Sequence, residues 1–155
     1  MVKSRKSSIH TNNPKDDYYT PPEVFERLGV DFDLDVCAPI GGVPWLPAHR
    51  HYSRLDDGLA QPWNGRVWMN PPFSNPTPWM EKFLAHGDGV CLIPVSRARW
   101  FGQGWDRLDA ITLCPLQIKF VTPSGDKAAV FMPTFLAALG STNVAVLKNF
   151  DRRVR

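Results

Sequence analysis

A chain of 155 residues that is 43% hydrophobic and 12% aromatic is long enough to bury one core without metal or disulfide staples. Its mean hydropathy of -0.25, with no apolar run of about 18 residues, argues against a membrane span, and three isolated cysteines (Cys37, Cys91, Cys114) argue against a disulfide framework and suit a reducing compartment. A net charge of +3 permits a nucleic-acid partner without requiring one.

Residues 1–17 open with Lys3, Arg5 and Lys6 and have no apolar stretch behind them, so they read as a flexible basic arm and not as a secretory signal. "TPPEVFERLG" predicts a short helix, with Thr20 as N-cap, Pro21 at the first position, Glu23 completing a capping box and Gly29 as the stop. "DFDLDVCAP" alternates Phe32, Leu34 and Val36 against Asp31, Asp33 and Asp35, a strand pattern that leaves Asp31 and Asp33 solvated. Ala38 to Asn64 is rich in Pro, Gly, His and Asp and predicts little regular structure. "RVWM" is a second strand, and "PTPWMEKFLAHG" places Trp79, Met80, Phe83 and Leu84 at helical spacing before Gly87. The continuous run "GVCLIPV" suits a central strand covered on both faces, with Cys91 as a small core residue.

A basic, aromatic loop is expected over 96–106, followed by strands "AITLC" and "LQIKFV", a turn at "TPSGDK", and "TFLAAL" pairing back antiparallel. "NVAVLKNF" fits a strand or a helix, and the chain ends on Arg152, Arg153 and Arg155. Strands alternating with helices imply an α/β fold with a mainly parallel sheet and an antiparallel C-terminal hairpin, as one domain over 18–150.

The stretch that carries chemistry is "VWMNPPF", in which a buried strand ends in Asn70, Pro71, Pro72 and Phe73. In an open α/β sheet, ligands bind outside the carboxyl ends of the strands. An exocyclic amine such as adenine N6 is a poor nucleophile because its lone pair is delocalised into the ring. The Asn70 side-chain oxygen and the Pro71 carbonyl can accept its N–H groups and favour a pyramidal nitrogen. Two prolines with φ near -65° hold that aim, and Phe73 offers a ring face for stacking. A carboxylate could accept the same hydrogen bond, so the sequence alone predicts partial activity for Asn70→Asp.

With these residues in view, the chain resembles the S-adenosylmethionine-dependent DNA adenine-N6 methyltransferases, in particular the small phage-type Dam family. The matching segments are "YYTPPEVFERL", "FDLDVCAP", "DDGLAQPWNGRVWMNPPF", "VCLIPVSRARWF" and "LQIKF", in that order. The resemblance implies a minimal Rossmann-like methyltransferase fold. It also implies S-adenosyl-L-methionine as methyl donor and duplex DNA as substrate, with the target adenine flipped out of the helix.

Carried onto this chain, Asn70, Pro71, Pro72 and Phe73 form the catalytic tetrapeptide, and Tyr19, Thr20 and Pro21 lie over the cofactor. Asp35, Cys37 and Ala38 approach its methionine moiety, and Asp57, with Asp56 as rival, contacts its adenosine. Arg97, Arg99, Trp100 and Trp105 are candidates for phosphate contact and for filling the vacated stack, and equally suit a surface loop with partly buried tryptophans.

The chain departs from the family where "CAPIGG" replaces a glycine-rich loop and where the strands between Asp35 and Asn70 are shortened or missing. No separate target-recognition domain is expected, so specificity would come from loops or from a homodimer. A phage origin, protection of DNA from restriction and a cytoplasmic location in a bacterial host follow from the resemblance alone. His49 and His51 lack a third ligand at zinc spacing, so no metal is expected. RNA or a protein glutamine as substrate, and a non-catalytic DNA-binding relic, remain open at this point.

Overall fold

The computed structural model describes residues 18–115, 118–128, 133–151 and 154. The expected basic arm, the C-terminal arginines at 152, 153 and 155, and Leu116 and Gln117 of "LQIKF" lie outside these residues. In chain order the described elements are α1 (Pro22–Leu28), β1 (Phe32–Asp35), β2 (Ala48–His51), β3 (Val67–Met69), α2 (Thr77–His86) and β4 (Gly89–Pro94). They continue with α3 (Arg99–Arg107), β5 (Ala110–Leu113), β6 (Phe120–Val121), β7 (Lys127–Ala128), β8 (Thr134–Leu139) and α4 (Ser141–Phe150).

Period-two alternation builds the sheet. Val67 and Met69 of β3, Cys91 and Ile93 of β4, and Ala137 of β8 face α2 and α3, where Trp79, Met80, Phe83 and Trp100 cover them. Trp68, Val90, Leu92, Leu136 and Ala138 point the other way, onto Val24, Phe25 and Leu28 of α1 and Val146, Leu147 and Phe150 of α4. Trp68 sits edge-on to Phe25, with ring centroids 4.8 Å apart.

The sheet order is β2-β1-β3-β4-β8-β5. β2, β1, β3 and β4 pair in parallel, whereas β8 runs antiparallel to both β4 and β5. The expected mainly parallel α/β fold is therefore present, and a four-residue β2 is the shortened strand between Asp35 and Asn70.

Several local expectations are corrected. Thr20 is not the N-cap of α1. Pro21 holds that position with no side-chain cap, and the Thr20 hydroxyl turns to Asn70. The expected loop 96–106 is largely the helix α3, whose Gly104 packs against the Met80 sulfur, where a Cβ would sit 3.3 Å away. "TFLAAL" lies between β4 and β5, and the turn at 122–126 joins only the small β6–β7 ribbon. The open choice at "NVAVLKNF" resolves as the helix α4.

Gly89, where β4 begins, has no room for a side chain: a Cβ would lie 2.4 Å from the Val67 carbonyl oxygen and 2.7 Å from Val67 Cγ2. Gly89→Ala should therefore destabilise the fold by about 1–3 kcal/mol through overpacking. A lower urea midpoint with an unchanged slope is the expected result.

Candidate functional site

β1 and β3 are adjacent parallel strands, and the chain leaves β1 toward β2 on one side while β3 lies on the other. That reversal opens a crevice at their carboxyl ends. The Val36 N–H donates to the Trp68 carbonyl at 3.1 Å, so Asp35 and Asn70 emerge side by side. Both line one cavity of about 280 Å³.

Its floor is Asp35, Trp68, Asn70 and Pro72, and the loop after β1 supplies Cys37, Ala38, Pro39, Ile40, Val43 and Leu46. Tyr18, Tyr19 and Thr20 form a strap along it, with Arg54 and Pro123 completing the lining. The strap is pinned at both edges. The Tyr19 N–H donates to the Val121 carbonyl at 2.7 Å, the Val121 N–H returns to Tyr19 at 2.9 Å, and the Trp45 indole donates to the Thr20 carbonyl at 2.8 Å.

Asp35 is 3% exposed. Its Oδ1 accepts the Cys37 N–H at 3.2 Å. Burial pushes its carboxyl up from 3.8 to about 7, and the Cys37 hydrogen bond offsets only part of that. Burial likewise holds the Cys91 thiol above its ordinary value; Cys91 is a core residue, whereas Cys37 is half-buried at the cleft. The Asn70 amide nitrogen donates to the Tyr18 carbonyl at 3.3 Å and to the Thr20 hydroxyl oxygen at 3.4 Å.

Other candidates fall outside the lining. Pro71 is buried, Phe73 is half-buried in the turn after Pro72, and Pro21 is the N-cap of α1. Gly41 and Gly42 make a positive-φ turn, and Gly42 abuts the His51 imidazole away from the cleft. Asp56 Oδ2 accepts from the Ser53 N–H at 2.8 Å and the Ser53 hydroxyl at 3.1 Å, which lowers its pKa.

Asp57 adopts φ 57°, and its buried Oδ1 has no hydrogen-bond partner among the described residues. Its neighbour Gly58 is pressed against the Val36 carbonyl, where a Cβ would sit 2.3 Å away. Asp57 therefore lies close to the end of β1, though not in the main cavity. Lys82 holds this loop by donating to the carbonyls of Leu59 at 2.8 Å and of Gln61, and by sitting over the Trp63 ring. Desolvation lowers the Lys82 pKa, against the opposing pull of Asp57.

Arg97 and Arg99 are exposed just past the carboxyl end of β4, on the same sheet edge as the cleft. Trp105 is 50% exposed beside Phe101 and Phe135, whereas Trp100 is 7% exposed and anchors α3 in the core. Sequence patterns did not single out Tyr18, Trp68, Arg54, Pro123 or the apolar loop residues as cleft lining. Tyr18 and Trp68 lie inside the quoted segments but drew no role there, and Arg54 carries no local pattern.

The chain matches the family described as DNA N-6-adenine-methyltransferase (Dam) over residues 7–132. A relative named DNA N-6-adenine-methyltransferase, from Haemophilus phage HP1 (strain HP1c1), is 32% identical over 98 residues, covering 56% of this chain and 55% of the relative. The match thus spans about half the length of that relative. No helix among the described residues is long and apolar enough to cross a membrane.

The raised Asp35 pKa has a definite sign in stability. Between about pH 4 and 7 the folded chain keeps a proton that the unfolded chain has released. Stability from this group is full below that window, falls as pH rises through it, and is level above it. Asp35→Asn lacks the group. The urea-derived stability of the wild type minus that of this variant should therefore decline from pH 4 to 7, and a flat difference would refute the burial argument.

Proposed function

Because this chain belongs to the DNA N-6-adenine-methyltransferase (Dam) family, we propose that it methylates adenine N6 in duplex DNA with S-adenosylmethionine as donor. The observation that carries this reading is the placement of Asn70 beside the buried Asp35 in one cavity at the switch point of the sheet. Two features fit the donor. Asp35 is a buried carboxylate that accepts a backbone N–H on one oxygen, which suits the α-ammonium of a methionine moiety. The orphaned Asp57 Oδ1 suits the amine of an adenosine.

When bound, S-adenosylmethionine supplies a methyl group already activated on a sulfonium, so the protein's work is orientation and exclusion of water. Good orientation is worth about 7–11 kcal/mol. Asp35, with Cys37 and Ala38, would hold the methionine end, and Tyr19 and Thr20 would cover it. The Asn70 Oδ1 and Pro71 carbonyl would accept the target amine's N–H groups, and Phe73 would stack on the flipped base from beyond the cavity.

DNA would lie along the edge carrying Arg97 and Arg99, with the half-exposed Trp105 as the aromatic contact. The buried Trp100 supports α3 in this arrangement. We read residues 18–150 as one unit, with base recognition by loops or by a homodimer.

Asn70→Ala should retain S-adenosylhomocysteine binding in calorimetry and lose at least ~10²-fold in tritiated-methyl transfer to plasmid DNA, as when a transition-state hydrogen bond is deleted. Near wild-type turnover would sink the catalytic assignment, and absence of cofactor binding in the wild type would favour a non-catalytic relic. Charge reversal at Arg97 or Arg99 should weaken DNA binding and flatten its salt dependence, by about one unit of slope for each phosphate that is no longer neutralised. An unchanged slope would remove this edge from the interface.

A further inference from the structure

The hydrogen bonds around Asn70 decide which way its amide points. The Tyr18 carbonyl oxygen can only accept, so the Asn70 atom 3.3 Å from it must be the N–H₂ nitrogen. The same nitrogen meets the Thr20 hydroxyl oxygen at 3.4 Å. An amide is planar, so a nitrogen held on the strap side turns Oδ1 away from the strap. Thr20 itself is 2% exposed, and the Tyr18–Thr20 strap is tied to β6 by the paired Tyr19–Val121 hydrogen bonds and to the loop after β1 by the Trp45 indole. The orientation of Asn70 is thus referred to hydrogen-bonded backbone on both flanks of the cleft.

We propose that the Tyr18 carbonyl and the Thr20 hydroxyl are positioning groups that fix Asn70 as an aimed acceptor, and that this clamp demands an amide, not a carboxylate, at position 70. The inference rests on the methyltransferase reading for its kinetic consequences, but the clamp is a property of the folded chain alone. It reverses what the tetrapeptide suggests by itself. A carboxylate at position 70 would set acceptor against acceptor at Tyr18, whose carbonyl has no proton to donate. It would also share the cavity with Asp35. The remaining titratable or charged groups of the lining are Cys37 after β1, Arg54 after β2, and Tyr18 and Tyr19 of the strap. A protonated carboxyl restores the pattern, since its O–H can donate to Tyr18 while its C=O takes the place of Oδ1.

The test combines spectroscopy with kinetics. In isotope-labelled wild-type protein, the Asn70 side-chain amide protons, identified by their loss in Asn70→Ala, should exchange slowly with solvent. They should shift in Thr20→Val and return in Thr20→Ser. In tritiated-methyl transfer, Thr20→Val should lower kcat by about 2- to 10-fold, the range of one net hydrogen bond. KM for DNA should stay unchanged, and Thr20→Ser should rescue the loss. Asn70→Asp should be as impaired as Asn70→Ala at pH 8, and its rate relative to wild type should recover as pH falls. Fast exchange of the wild-type amide protons, or an Asn70→Asp enzyme close to wild type at pH 8, would overturn the clamp. A protected amide in a protein that methylates no adenine would overturn the function and leave the clamp standing.

Discussion

The parallel pairing of β1 with β3 is the constraint from which the cleft follows. Leu34 lies beside Val67 and Asp35 beside Trp68, and the next rung, Val36 N–H to the Trp68 carbonyl, closes the ladder at 3.1 Å. A one-residue slip would turn Trp68 out of its aromatic contacts with Phe25 and Phe32 and drive Val67 and Met69 from the opposite core. Register is therefore held by burial on both faces, and it alone brings Asp35 and Asn70 to the same cavity. The prolines then end the ladder, because neither Pro71 nor Pro72 has an N–H to extend it.

The short connection between β1 and β2 has to do without a covering helix among the described residues. It is organised by single hydrogen bonds: Ala38 N–H to the Tyr52 carbonyl at 2.8 Å, Gly42 N–H to Pro39 at 2.9 Å, and the Trp45 indole to Thr20. The following loop is held in the same manner by Lys82, whose ammonium gathers the Leu59 and Gln61 carbonyls. Apolar Ile40 and Val43 therefore remain available to line the cleft, and Leu46 lines it while also packing against the core beneath α1 and α4.

What was legible in the sequence was what local chemistry determines. Gly29 and Gly87 ended α1 and α2 as left-handed caps, at φ 67° and 78°. The continuous apolar run of β4 announced burial on both faces, and the tetrapeptide marked the end of β3, where Asn70 and Pro72 line the cavity. What was hidden depends on partners distant in the chain. Two glycines made α3 look like a loop, because the smallness of Gly104 has meaning only with Met80 opposite. The mostly polar, exposed β2 is a strand only because β1 offers it an edge. Thr20 looked like a helix cap because N-cap chemistry is local, whereas its actual partner is 50 residues away. The family resemblance located the segments but was silent on how they touch.

Asp35 is an unfavourable group that the fold tolerates at the end of β1. A carboxyl that is 3% exposed favours its neutral form, despite the Cys37 backbone N–H that donates to it, and lowers stability near neutral pH. Nothing in the core requires an acid there, since the β1 neighbours Leu34 and Val36 are wholly buried without one. A cationic ligand beside Asp35 would reverse the balance by favouring the charged form, so ligand binding and relief of a buried acid become the same event. A second acid at position 70 would undo this by competing for the same cation and the same proton. Neutral Asn70, held by its nitrogen, supplies an acceptor to the cleft without adding a charge to it.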